Sequence, residues 1–268
     1  MKTNILQELK LATEERIKKQ KEEISFGEMR DRALEMSDDH TRDFIFERTL
    51  KGEGMHFICE VKKASPSKGL IAENFPYKDI AKEYEAAGAD CMSILTEPTR
   101  FLGSDEYLRE IREVVDIPLL RKDFTVDPYM IYQAKVLGAD AVLLICSLLE
   151  NETLIEYLNI CDTIGLTALV EAHDENEVAM AAGAGARVIG VNNRNLKDFT
   201  VDIKNSMRLK KYAPKECIFV AESGIKTHED IAELVAGDVN AVLIGETLMR
   251  SDDKKRMLDE LKGENLKL

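Results

Sequence analysis

From residue 57 onward, short apolar runs alternate with longer stretches in which apolar and polar positions repeat at helical spacing. The runs fall at 57–61 (FICEV), 91–95 (CMSIL), 118–122 (PLLRK), 141–145 (AVLLI), 167–171 (TALVE), 188–192 (VIGVN), 217–222 (CIFVAE) and 241–245 (AVLIG). Their starts lie 21 to 34 residues apart, room for one helix between each pair, which predicts parallel βα units. Several of the intervening stretches close on glycine before the next run: AAGAD (86–90), VLGAD (136–140), AAGAGAR (181–187) and VAGDVNA (235–241). Glycine just past a helix end is the expected αβ turn. Eight such units predict an α/β fold, a closed (β/α)8 TIM barrel. A doubly wound open sheet is the alternative, but no GxGxxG follows the first run to support dinucleotide binding there.

Residues 1 to about 50 do not fit this repeat. Leu6, Leu9, Ile17 and Ile24 fall on a helix-like stripe in an otherwise highly charged segment. The expectation is a single domain over 1–268, with a helical extension over about 1–50 and the barrel over about 56–268. The extension either caps the barrel bottom or covers its mouth; its own residues do not decide which.

Three apolar runs meet charge where a buried strand should stay greasy: FICEVKK, PLLRKDF and TALVEA. An unpaired charge taken out of water costs several kcal/mol or more, so these positions need a reason. In one parallel barrel, Glu60, Lys62, Lys122 and Glu171 converge on the mouth at the C-terminal strand ends, where barrel enzymes build their sites. Arg121 and Lys122 alternate in direction, so at most one faces the interior. Lys122 at that place suits a Schiff-base nucleophile, a general acid or an anion holder; an ion pair with Glu60 or Glu171 is the plain alternative. Glu171 has the same two readings.

Two turns suit an anion. ESGI (222–225) follows the seventh run and GETLM (245–249) the eighth, each placing glycine where a strand gives way to a helix. Small residues there let backbone N–H groups approach a phosphate, and barrels often build their phosphate site from these two loops. Ordinary βα turns are the plain alternative. The loop EVKKASPSKGL (60–70) is turn-rich, polar and long enough to cover a barrel mouth. In VNNRNL (191–196), Asn192 and Arg194 share parity, and Arg194 suits a carboxylate or phosphate; a surface arginine is its plain reading.

Composition narrows the partners. A net charge of −13 and a pI near 5.0 argue against nucleic acid and anionic membranes, but leave room for a small anion held by local lysine and arginine. There is no apolar run near 18 residues and no signal-peptide core at the N-terminus. The five cysteines form no CxxC, which fits a reducing cytoplasm, and the four histidines show no metal-ligand spacing. No P-loop is present. The expected partner is a small phosphorylated molecule, with no bound metal and no organic cofactor.

Seven segments at these strand ends carry a resemblance: CEVKKASPSKG, SILTEPTRFLGS, LLRKDF, ALVEAH, IGVNNRNL, VAESGI and VLIGETLM. In this order and register the chain resembles indole-3-glycerol phosphate synthase of tryptophan biosynthesis. The resemblance spans nearly the whole chain, including the charged N-terminal helices. It implies conversion of 1-(2-carboxyphenylamino)-1-deoxyribulose 5-phosphate to indole-3-glycerol phosphate, with loss of CO2 and water and without metal or cofactor. By the same resemblance, Lys122 is the general acid of ring closure and Glu171 stabilises the reacting centre or relays protons. Glu60 and Lys62 assist dehydration as base and acid. Ser65 and Arg194 lie near the anthranilate carboxylate, Asn192 near a sugar hydroxyl, and Phe101 and Phe124 pack on the ring. Ser223, Gly224, Gly245 and Glu246 match the phosphate loops, and Glu222, which opens ESGI, is expected among the substrate-binding residues. Some members carry Ser at the position of Glu246, so this side chain must turn away from a phosphate. The chain reads as monofunctional and monomeric. The competing readings are another phosphate-binding barrel, such as phosphoribosylanthranilate isomerase, and a non-catalytic sugar-phosphate-binding barrel.

Overall fold

The computed structural model describes residues 5–195 and 200–264; Leu196, which ends the VNNRNL segment, lies outside them. Three helices come first: α1 (Ile5–Glu23), α2 (Phe26–Ser37) and α3 (Ile45–Leu50). Eight parallel strands then close into a barrel: β1 (His56–Val61), β2 (Cys91–Leu95), β3 (Leu119–Lys122), β4 (Ala141–Ile145), β5 (Thr167–Ala172), β6 (Val188–Asn192), β7 (Ile218–Glu222) and β8 (Ala241–Ile244). Each pairs with the next in sequence and β8 pairs with β1, which excludes the open sheet. Between the strands run α4 (Tyr77–Ala86), α5 (Asp105–Arg112), α6 (Pro128–Val136), α7 (Asn151–Thr163), α8 (Glu175–Gly183), α9 (Lys204–Lys210) and α10 (His228–Ala236). After β8 come α11 (Glu246–Met249) and α12 (Lys254–Lys262). Among the described residues, no helix is long and apolar enough to cross a membrane.

The apolar runs form strands because both of their faces are buried. Phe57, Cys59 and Val61 pack outward against the helices, while Ile58, Leu120, Leu169 and Val220 pack inward on one another. Three of the expected helix ends have a left-handed glycine, Gly88, Gly138 and Gly185, with φ of +84°, +89° and +91°. The fourth differs: Gly237 keeps a negative φ, and Asp238 takes the left-handed position at φ +57°. A short polar side chain tolerates that region better than most.

The N-terminal segment serves both ends of the barrel. Phe46 and Leu50 of α3 are fully buried and join the interior apolar layer. Glu47 pairs with Arg187 at 2.6 Å and Arg42 with Asp140 at 2.8 Å. Arg187 and Asp140 immediately precede β6 and β4, so α3 plugs the N-terminal end. Helix α1 lies at the opposite end, where Arg16 pairs with Asp123 just after β3 at 2.8 Å and Lys21 pairs with Asp127 at 2.6 Å. Ile5, Leu6 and Leu9 of α1 line the mouth of the barrel.

Candidate active site

Strand parity gathers the charges. Inward-facing Ile58, Leu120, Leu169 and Val220 are each followed two residues later by Glu60, Lys122, Glu171 and Glu222. These four come from β1, β3, β5 and β7, the alternate strands that fill one layer of a barrel. Lys122 Nζ lies 3.0 Å from Glu171 Oε2 and 3.3 Å from Glu222 Oε2. Glu60 forms a close ion pair with Lys62, two residues on along the same face. All five side chains line a cavity of about 930 Å³ that opens at the C-terminal end. Arg121 points the other way, fully buried, and bonds Asp105 at 2.7 Å and the Met130 carbonyl at 3.0 Å.

Glu222 opens ESGI but stands apart from the turn that follows it. Its neighbours Ser223 and Gly224 turn away in left-handed conformations, φ +68° and +88°, but the Glu222 side chain belongs to the Lys122 cluster rather than the phosphate side. The cause is parity, since Glu222 is the last inward residue of β7. A carboxylate there would repel a phosphate.

The cluster sets its own protonation. Burial works to lower the Lys122 ammonium, but Glu171, Glu222 and Glu60 outweigh it and hold the group above the ordinary lysine value. Burial works to raise Glu171, yet Lys122 and His173 hold its carboxyl well below the usual range. Glu222 is pushed up to about 7, first by burial and then by Glu171 and Glu60, against the pull of Lys122. Its Oε1 is buried with no hydrogen-bond partner among the described residues, as suits a carboxyl that gives up its charge easily.

Glycines make room for these carboxylates. A Cβ on Gly190 of β6 would stand 2.3 Å from Glu222 Oε1, and one on Gly245 would stand 2.2 Å from Glu60 Oε2. Gly190→Ala is therefore expected to displace Glu222 and cost about 1–3 kcal/mol of stability through overpacking. Turnover should fall roughly tenfold, as for a misplaced acid–base group. Steady-state rates and thermal melts check this; wild-type values for both would mean that Glu222 moves aside freely.

Asn192 on β6 donates from Nδ2 to Glu171 Oε1 at 3.4 Å and accepts the Arg194 backbone N–H at 3.0 Å, so its side chain orients Glu171. Arg194 and Ser65 both line the cavity. Ser65 stands in a two-residue antiparallel ladder, Ala64–Ser65 with Gly69–Leu70, inside what reads from sequence as plain loop. Phe101 and Phe124 approach each other with ring centroids 6.0 Å apart. Glu246 pairs with Arg250 at 3.2 Å and with Lys68 at 3.4 Å, so two cations offset its charge.

Three supporting residues escape the sequence reading. Buried Glu97 accepts the backbone N–H groups of Thr99, Arg100 and Phe101 at 2.7, 2.8 and 3.0 Å and thereby fixes the loop that carries Phe101. Its signal is a carboxylate just past the CMSIL run. Buried Asn193 donates to the Ser223 carbonyl at 3.2 Å and accepts from Ser206 Oγ at 2.7 Å, tying the β7 turn to α9. His173 reaches Glu171, and its signal is shared parity two residues on.

A closed barrel whose C-terminal mouth holds two lysines among buried carboxylates is the architecture of an acid–base enzyme of the (β/α)8 class. A family model for indole-3-glycerol phosphate synthase matches residues 6–261. A protein of that name from Ruminiclostridium cellulolyticum is 55% identical, covering 97% of this chain and 99% of its own length. Another, from Lachnoclostridium phytofermentans, is 51% identical, with 97% and 99% covered. The chain belongs to the indole-3-glycerol phosphate synthase family. Among solved structures, a 3-hexulose-6-phosphate synthase superposes with TM-score 0.64 at 13% identity, covering 78% of this chain and 99% of that one. A thiamine phosphate pyrophosphorylase from Pyrococcus furiosus gives 0.59 at 15%, covering 81% and 96%. At that identity they share the barrel fold alone.

Proposed function

We propose that the chain closes the indole ring of 1-(2-carboxyphenylamino)-1-deoxyribulose 5-phosphate, giving indole-3-glycerol phosphate, CO2 and water. The observation that carries this reading is the placement of Lys122 between Glu171 and Glu222 at the cavity floor, in a member of this family. Lys122 donates a proton to the ribulose carbonyl oxygen as the aromatic carbon bearing the carboxylate attacks the carbonyl carbon. That bond breaks aromaticity. Loss of CO2 leaves its electron pair to the ring and restores it. The new hydroxyl then leaves as water with a proton from Lys62, and Glu60 removes the ring-CH2 proton to complete the indole.

Glu171, ionised and held by Lys122 and Asn192, stabilises the charge that develops in the first step. Phe101 and Phe124 pack on the anthranilate ring, with Ser65 and Arg194 at its carboxylate. Ser223, Gly224 and Gly245 present backbone N–H groups to the phosphate, and Glu246 stays with Arg250 and Lys68. The same reading makes the chain a monomer with this one activity, working in the cytoplasm. Five buried free cysteines support a reducing compartment.

The test is to give the purified protein the carboxyphenylamino-deoxyribulose phosphate without added metal and to follow indole fluorescence. Indole with one CO2 per turnover is expected. Substrate consumed without indole, or left untouched, would sink the proposal. Light scattering tests the monomer.

A further inference from the structure

His173 stands just past the end of β5, two residues beyond Glu171 and on the same side. Its Nε2 lies 3.2 Å from Glu171 Oε1, the oxygen that does not meet Lys122. Its Nδ1 lies 3.0 Å from Glu177 Oε2, and the same oxygen accepts the His173 backbone N–H at 2.8 Å. Asn205 of α9 donates to the His173 carbonyl at 3.4 Å. The imidazole is thus hydrogen-bonded at Nδ1 and at its own backbone, while Nε2 faces Glu171 Oε1 at ion-pair distance without an aligned hydrogen bond. Glu171 and Asn192 line the cavity, and His173 does not.

We propose that His173 is a positioning residue that grips Glu171 from behind, clamped in turn by Glu177, so that Glu171 presents Oε2 to Lys122 and the cavity. Other groups face this pair from every side: Lys122 on β3, Glu222 on β7, Glu60 on β1, and the Cys146 thiol, which donates to the Glu177 carbonyl. Two carboxylates outweigh burial and hold the imidazole protonated, with its pKa raised to about 10. An imidazolium carries an N–H on both nitrogens, so it hydrogen-bonds Glu177 from Nδ1 and sets a positive charge against Glu171 at Nε2. Neutral imidazole donates from only one, and would leave a buried carboxylate facing a lone pair. Glu177 is partly open to solvent, so the clamp sits between the cavity floor and the surface.

The kinetic arm of the test rests on the ring-closing reaction proposed above; the spectroscopic arm does not. In an NMR pH titration of the intact protein, the His173 ring signal is identified by its loss in His173→Asn. It should stay in its cationic position through about pH 8, and Glu177→Gln should lower its midpoint by about one unit or more. In steady-state assays, His173→Asn should lower kcat roughly tenfold with KM within about twofold, and Glu177→Gln should reproduce part of that loss. A His173 midpoint near the ordinary imidazole value, or unchanged kcat in variants that melt like wild type, would overturn the proposal. If His173→Asn fails to fold, Glu177→Gln carries both arms, with the signal assigned by through-bond correlation. A wild-type protein that makes no indole would overturn the reaction reading and leave the titration to decide the clamp.

Discussion

Lys122→Arg is expected to fold and melt like wild type while ring closure falls roughly 100- to 10,000-fold, the range for losing a general acid. The variant separates charge from proton transfer. An arginine keeps a cation beside Glu171 and Glu222, but guanidinium does not give up its proton in a protein. Lys122→Met removes both functions. It leaves Glu222 without a cation and Glu171 with His173 alone, and breaking such a pair from one side costs about 3–5 kcal/mol. The methionine variant should therefore lose stability as well as turnover, with Glu222 absorbing part of the cost by taking up a proton. Single-turnover fluorescence with binding of an unreactive N-substituted anthranilate checks both. Near-normal turnover in Lys122→Arg would remove Lys122 from the role of acid.

The raised Lys122 pKa sharpens this role. A proton held so firmly is always present, but it is a reluctant one, and the restraint is the negative charge around it. Glu222 titrates near neutrality, so the number of carboxylates restraining the Lys122 proton changes in the working range. A substrate carboxylate or a developing alkoxide entering the cavity shifts this balance again. The cluster therefore acts as one coupled unit, and single substitutions within it should not add.

The barrel and most of this cluster are legible in the sequence because their causes are local. Apolar runs mark the strands, and two-residue parity separates inward Lys122 from buried, outward Arg121, whose partners Asp105 and the Met130 carbonyl lie among the helices. Glu222 obeys the same parity, counted from Val220, although the Ser-Gly turn behind it masks its place beside Lys122. His173, Asn193 and Glu97 are different. Each acts by bracing another group: His173 meets Glu177 of α8, Asn193 meets Ser206 of α9, and Glu97 holds the backbone of its own loop after β2. Spacing hints at the short-range contacts of His173 and Glu97, but nothing in the chain announces Asn193 with Ser206. The place of α3 is likewise set by ion pairs with Asp140 and Arg187, which closure of the barrel brings to one rim.

Glu222→Gln is expected to stabilise the protein at neutral and alkaline pH and to leave it unchanged near pH 4 and below. In the folded protein Glu222 holds its proton up to about 7, against an ordinary value of 4.5. Below about 4.5 both folded and unfolded chains carry that proton, and the group contributes nothing. As pH rises from there toward 7, the unfolded chain loses the proton first, so unfolding releases it and stability falls. Above about 7 both forms are ionised and the full cost is present, about 3 kcal/mol for a shift of this size. Glutamine keeps the shape of the neutral acid and never charges, so the variant escapes that cost. Groups outside the cluster are common to both proteins, so the difference between their melting curves reports Glu222 together with its coupling to Lys122 and Glu171. At roughly 2–4 °C per kcal/mol, the gap should open to several degrees between about pH 4 and pH 8. Parallel curves with a constant offset would show that Glu222 is ionised throughout. In the same range, an inflection near pH 7 in wild-type turnover should disappear in the variant, because the charge that modulates Lys122 is gone.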